Sequence, residues 1–252
     1  MRIWREQKIK KWVLVAFGVA FCSPAFADDG DGGTCSIPQA TVTAIQNQLN
    51  SVVAMKNGGI FGPSGLFPTS RNFMWSAVVD RAGRLCSVIK TGDAWPGSRA
   101  IAIAKAGTAN DFSNSSLALS TANLYAATQP GGSLWGLNNS NPFNPDFLAP
   151  RSGANQFVGG IITFGGGVPL YQSGAVIGGL GVSGDSSCAD HVIAYRMRRG
   201  ANINGIKLGL DKIPAGVGYN NTDNIAYPTS GSPTGFQQPH CFPGQDLDPG
   251  AI

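Results

Sequence analysis

The sequence predicts an α+β protein: one domain built on a central antiparallel sheet of about five strands, flanked by helices. Three observations carry this. Two groups of short β-like runs are each joined by tight turns, helical stretches separate the groups, and no internal repeat divides the chain.

The first 27 of the 252 residues are read as a leader. Arg2, Arg5, Lys8, Lys10 and Lys11 precede an apolar run from Trp12 to Cys22, and Ala25-Phe26-Ala27 has the small-x-small form of a signal-peptidase site. The run is about half the ~20 residues of a membrane span. Phe21 is too bulky for lipoprotein cleavage before Cys22. Cleavage after Ala27 leaves about 225 residues, enough for one domain with its own core, and sends the chain to the periplasm or the exterior.

Without the leader the charge balance changes. The leader holds five of the 18 basic residues and one of the 14 acidic ones, so the remainder is neutral. A neutral chain lacks the cationic surplus of a nucleic-acid binder. Glu6 is the only glutamate, and it lies in the leader, which excludes enzymes that use a glutamate as general acid or base.

The elements follow in order. Residues 28–36 form an acidic, Gly-rich lead-in. Ile37 to Lys56 reads as helical, with Pro38 in a first turn and Val42, Ile45, Leu49, Val52 and Val53 at three- and four-residue steps. Gly58 to Ser70 is a Gly/Pro loop. Phe73–Val79 and Leu85–Thr91 flank Asp80-Arg81-Ala82-Gly83 as a hairpin. Pro96 and Ser98 start a helix that continues from Ala100 to Phe112, its alanines forming a smooth face. Lys105 and Thr108, three apart, share a side of it. Leu117 to Thr128 reads as a further helix.

Gln129 to Asn155 is a long loop rich in Asn, Pro and Gly, a functional lid or an Ω-like excursion. Phe157–Phe164, Val168–Tyr171 and Ala175–Val182 read as strands, with turns at Gly165-Gly166-Gly167 and Gln172-Ser173-Gly174. Ser186 or Ser187 caps a helix to about Arg199, where Arg196, Arg198 and Arg199 complement the helix dipole and face solvent. Residues 37–200 make the domain, and 201–252 a turn-rich extension with Ile203–Leu210 as one extra strand.

Four cysteines lie beyond the leader: Cys35, Cys86, Cys188 and Cys241. An even number in an exported chain reads as two disulfides, with three pairings open. No C-x-x-C occurs, which argues against a cysteine metal site and against covalent heme. His191 and His240 are the only imidazoles. Each is read as an ordinary polar residue near a disulfide or as a metal ligand. Pairing of Cys188 with Cys241 would bring the two together.

Two motifs invite sharper readings. Gly179-Leu180-Gly181-Val182-Ser183-Gly184 fits a dinucleotide-binding turn, but no acid follows about twenty residues on and no parallel strand follows the helix. Its glycines more simply mark a strand end approached closely by backbone or ligand. Gly184-Asp185-Ser186, with His191 and His240, suggests a hydrolase. However, a nucleophile elbow needs glycine where Asp185 stands, and Asp185 and Ser186 serve equally as a helix cap.

Taken together, Ser98 to Ala109, with its Lys105-Ala106-Gly107-Thr108-Ala109 run, and Gly166-Gly167-Val168-Pro169-Leu170, followed by Gly178 to Gly184 and Asp190, resemble the signatures of the GlcG/HbpS-like heme-binding family. That family includes the C-terminal domain of PduO-type proteins. The resemblance covers about Phe73 to Arg199. It implies an antiparallel sheet flanked by helices, binding of heme or a related tetrapyrrole, and homo-oligomers.

The motif positions carried over as cofactor-binding are Lys105, Thr108, Pro169, Ser183 and Asp190. His191, beside Asp190, is the first choice for an axial iron ligand, with His240 as the other imidazole. Lys105 or an arginine would meet the ligand's carboxylates. The leading expectation is an exported, disulfide-stabilised protein that binds heme or a similar planar molecule without covalent attachment. The alternatives are an accessory oligomeric subunit without a cofactor and a small-molecule hydrolase or heme-degrading enzyme.

Overall fold

In the computed structural model, residues 34–54, 73–145, 156–228 and 234–242 are described. The leader, most of the lead-in, the Gly58–Ser70 loop, the second part of the Gln129–Asn155 loop and the last residues of the tail lie outside them. The described residues belong to one compact unit, Gly32–Ile252.

Helices α1 (Gln39–Gln46) and α2 (Gln48–Ala54) replace the single helix expected from Ile37, and Pro38 serves as N-cap of the first. Strands β1 (Trp75–Asp80) and β2 (Leu85–Lys90) form the expected hairpin. Asp80 closes its turn, since Oδ1 accepts the Arg84 N–H and Oδ2 the Ser36 N–H. Helix α3 spans Ser98–Asp111. A 3-10 turn (Thr121–Leu124) and the one-turn α4 (Tyr125–Thr128) stand where a longer helix was expected.

Strands β3 (Gly167–Gln172) and β4 (Ala175–Ser183) follow, turning through Ser173 and Gly174, both at positive φ. Helix α5 (Ser187–Gly200) is capped by Ser186, whose hydroxyl accepts the Ala189 N–H. The strand expected at Ile203–Leu210 shrinks to a two-residue hairpin, β5 (Asn202–Ile203) and β6 (Ile206–Lys207), around Asn204 and Gly205.

Among the described residues the main sheet has four strands in the order β2-β1-β4-β3, all antiparallel. The expected fifth, Phe157–Phe164, is not a strand beyond a single bridge to Arg84. Beyond that bridge, made by the Leu85 N–H to the Gln156 carbonyl and the Val158 N–H to the Gly83 carbonyl, its backbone bonds elsewhere: the Gly160 N–H to Asn141 and the Ile162 N–H to the Thr108 hydroxyl. Gly160 also sits at φ +83°, which breaks an extended ladder.

Helices lie on both faces of the sheet. On one, Val78, Leu180, Val182, Val168 and Leu170 pack with apolar residues of α1, α2 and α5 into the larger core. On the other, Ala77, Val79 and Leu85 pack on Ala102, Ile103 and Ala106 of α3. Backbone approach there is unusually close. A β-carbon on Gly181 would stand 2.0 Å from the Ala102 carbonyl oxygen, one on Gly179 2.1 Å from that of Ala106, and one on Gly167 2.4 Å from that of Lys105. Gly167 pairs with Gly181 in register, so the glycines form a flat patch under the alanine face of α3. The glycine signature is thus a helix–sheet contact.

The described residues after Gly200 belong to the fold. Leu210, Ile225, Ala226 and Tyr227 are buried, and the Tyr171 N–H donates to the Leu210 carbonyl. Disulfides join Cys35 to Cys86 and Cys188 to Cys241. No helix among the described residues is long and apolar enough to cross a membrane.

Candidate functional site

The cofactor-binding positions expected from the motifs lie in the interior. Lys105 reaches from α3 to α5, its Nζ 2.6 Å from Asp190 Oδ2, and also donates to the Val182 carbonyl at 3.2 Å. The other Asp190 oxygen accepts the Asp185 N–H. Gly166, at φ +125°, leaves room for this pair, because a β-carbon there would stand 2.6 Å from the ammonium nitrogen. Burial pushes the Asp190 carboxyl up to about 6, against the pull of Lys105, and pushes Lys105 below its ordinary value. Both shifts have one cause: removal from water opposes either charge, and mutual attraction offsets only part of it.

Thr108 is also internal. Its hydroxyl donates to the Ala104 carbonyl and accepts the Ile162 N–H, fastening the chain beyond the long loop to α3. Ser183 is buried at the end of β4. The Pro169 carbonyl accepts from Arg198, whose guanidinium is wholly buried and makes a two-pronged pair with Asp223. Arg198 was expected at the surface. The Asp223 partner, 25 residues on, draws it inward instead.

His191 is wholly buried and packs against Tyr195, the ring centroids 5.8 Å apart. The Ile225 N–H is shared between its Nε2, at 2.9 Å, and Asn224 Oδ1, at 2.8 Å. Its Nδ1 has no hydrogen-bond partner among the described residues. Burial lowers its pKa to about 4, opposed by Asp223 and Asn224 and assisted by Arg198 and Lys105, so the ring is neutral at pH 7. His240 stacks on Tyr227 at 4.1 Å. Among the described residues, the one group of three metal-binding side chains within mutual reach is Cys35, Asp80 and Cys86, and its sulfurs are bonded to each other.

An open cleft of about 430 Å³ lies elsewhere, on the outer face of α3. Ala100, Ile101 and Ala104 form its floor. Asn138, Asn139, Asn141, Pro142 and Phe143 from the long loop and Gly160, Ile161 and Ile162 form its walls. The walls are braced: the Thr163 hydroxyl donates to Asn138 Oδ1, and the Gly160 N–H to the Asn141 carbonyl. None of these residues carries a charge. Only the alanine face of α3 and the length of the Asn/Pro loop pointed here in the sequence; the individual asparagines and Phe143 carried no motif.

Known proteins resemble this chain over its central part. The family model described as "Haem degrading protein HbpS-like" matches residues 72–198, half of the chain. An uncharacterized 15.0 kDa protein from the dhaT-dhaS intergenic region of Citrobacter freundii is 33% identical over 118 residues, which is 47% of this chain and 68% of that protein. The corrinoid adenosyltransferase PduO of Citrobacter freundii is 33% identical over 120 residues, 47% of this chain but only 29% of the enzyme. The crystal structure of the PduOC:heme complex superimposes with a TM-score of 0.49 at 22% identity, covering 68% of this chain and 98% of that one. The matched span, with its Lys105 helix and its glycine-rich β3–β4 hairpin, places this chain in the HbpS-like family.

Proposed function

We propose that the protein is an exported, non-catalytic carrier of a planar, largely apolar small molecule of the tetrapyrrole class, held by its faces in the α3 cleft. The lining of that cleft carries the reading. An alanine floor and the Phe143 ring suit a flat apolar body, the asparagine amides suit polar edges, and about 430 Å³ falls within the usual range of ligand pockets. The two disulfides fit an oxidising compartment. Membership of a family described by its action on heme makes heme the first compound to try.

Heme fits this cleft only in part. The macrocycle has its surface, but among the described lining residues none offers an imidazole, thiolate, thioether or phenolate to iron, and none offers a cation to a propionate. Lys105, Asp190 and His191 are buried and turned to internal partners. Recognition here therefore rests on the ring system and not on a metal bond.

The test is a parallel titration of the oxidised protein with hemin and with metal-free protoporphyrin, followed by absorbance and fluorescence. Saturable binding of both, with similar affinity, is expected. Ala100→Trp, which fills the cleft, abolishes both, whereas His191→Asn leaves both intact. Failure of both compounds to bind saturably overturns the tetrapyrrole reading. Binding of hemin alone, lost in His191→Asn, moves the site to the interior histidine.

A further inference from the structure

The two disulfides close loops of nearly equal span, 51 and 53 residues apart in sequence, so chain entropy stabilises them alike. Their surroundings are opposite. Cys35 Sγ lies 3.6 Å from the Ile37 carbonyl oxygen and Cys86 Sγ 3.7 Å from that of Arg84. The Asp80 carboxylate is within 4.8 Å of both sulfurs. A thiolate formed there would meet these electron-rich oxygens.

Cys188–Cys241 is surrounded by donors. Cys241 Sγ meets the Cys188 N–H at 3.1 Å, the Ser187 hydroxyl at 3.4 Å and the Gln238 amide at 3.9 Å. The same amide lies 3.5 Å from Cys188 Sγ. Because Gln238 donates to Ser187 Oγ, the Ser187 hydroxyl hydrogen is free to point at the sulfur. Cys188 also stands in the first turn of the fourteen-residue α5, at the positive end of its dipole. Such settings favour the thiolate and make a disulfide easier to reduce.

The bond also ties down a strap. Residues 234–242 lie against the start of α5: Gln238 Oε1 accepts the Gly165 N–H at 2.7 Å, the Gln238 N–H donates to the Ala226 carbonyl, and His240 stacks on Tyr227. We propose that Cys188–Cys241 is a redox-active latch, opened by a dithiol before Cys35–Cys86, and that its opening releases this strap from Gly165 and the first turn of α5.

In the step itself, a dithiol thiolate attacks the half-exposed Cys241 sulfur. The sulfur–sulfur bond breaks, and its electron pair leaves on Cys188 as a thiolate. The second thiolate of the reductant then attacks its own sulfur in the mixed disulfide and expels the Cys241 thiolate. The dithiol departs as a disulfide, the protein has gained two electrons, and the two thiol protons pass to solvent or to the new thiolates according to pH.

The test equilibrates the full oxidised chain in graded mixtures of reduced and oxidised dithiothreitol, traps thiols with N-ethylmaleimide and maps them by peptide mass. Equilibrium is needed because both Cys35 and Cys86 are half-exposed, so access favours the other bond. Cys188 and Cys241 should be labelled at a reductant ratio at least tenfold lower than Cys35 and Cys86. Under those conditions circular dichroism should be unchanged and the Gly165 amide should lose its protection from hydrogen exchange.

Opening of Cys35–Cys86 first, simultaneous opening of both bonds, or a Gly165 amide that stays protected would each overturn the latch. In Gln238→Ala, which keeps both disulfides, the Cys188–Cys241 midpoint should move toward that of Cys35–Cys86. An unmoved midpoint removes the donors as its cause. The wild-type measurement stands whether or not that variant folds.

Discussion

Lys105 of α3 and Asp190 of α5 meet through the sheet's end, Nζ to Oδ2 at 2.6 Å, although the two helices pack on opposite faces. Gly166 makes the passage, having no side chain to block it. The Lys-Ala-x-Thr-Ala and Gly-Gly-x-Pro signatures and the motif aspartate are therefore parts of one internal clamp between the two helical layers.

Breaking that clamp on one side should be costly. Lys105→Met strands a buried carboxylate, which must take up a proton to remain inside. We expect a loss of about 3–5 kcal/mol in urea unfolding at pH 7. Lys105→Met with Asp190→Leu should recover most of it, because neither charge is then left alone. A double variant as unstable as the single one would show that the charges matter less than the shape they fill.

Much of this architecture was legible in the sequence, and the failures have physical causes. The β1–β2 and β3–β4 hairpins were readable because their turn residues and apolar runs are local. The Phe157–Phe164 segment misled because its apolar residues pack on α3 and the hairpin without pairing in a ladder, and only Gly159-Gly160 marked the break. The polar composition after Gly200 concealed Ile225 and Tyr227, which are buried by partners far away along the chain, His191 and His240 among them. The cleft was the least legible, because its walls meet only after the loop folds back on α3.

The flat glycine patch makes a steric prediction. Gly181→Ala places a methyl 2.0 Å from the Ala102 carbonyl oxygen, a backbone atom unable to move without shifting α3. A loss of at least about 3 kcal/mol is expected, at the upper end for overpacking. Gly235→Ala, where a β-carbon meets nothing within 4 Å, should change stability by less than about 0.5 kcal/mol. Thermal unfolding of the two side by side checks this.

Arg198 and Asp223 tie the C-terminal extension to β3, since the same guanidinium donates to the Pro169 carbonyl. Arg198→Met should cost about 3–5 kcal/mol by stranding Asp223. It should also raise hydrogen exchange at the Ile225 amide before that of β1 or β4. Equal exchange throughout would mean that the extension unfolds only with the whole domain.

Asp190 and His191 are neighbours whose pKa values burial shifts in opposite directions. The Asp190 carboxyl is raised from an ordinary 3.8 to about 6, so the native state takes up this proton before the unfolded chain does. Its contribution to stability is full below about pH 4 and is lost as pH rises through 6. His191 is lowered from 6.5 to about 4, so the unfolded chain takes up that proton first. Its contribution is full above pH 6.5 and is lost as pH falls toward 4. Each contribution amounts to about 3 kcal/mol across its window, because a tenfold change in proton affinity is worth roughly 1.4 kcal/mol. Wild-type stability should thus be nearly flat between pH 4 and 6.5 as far as this pair is concerned. Relative to wild type, Asp190→Asn should gain stability with rising pH across that window, and His191→Asn should lose it. The other carboxylates act equally in all three proteins, so differences between urea midpoints at pH 4, 5 and 6.5 isolate the pair. Parallel curves for the three proteins would mean that neither group is perturbed as its burial implies.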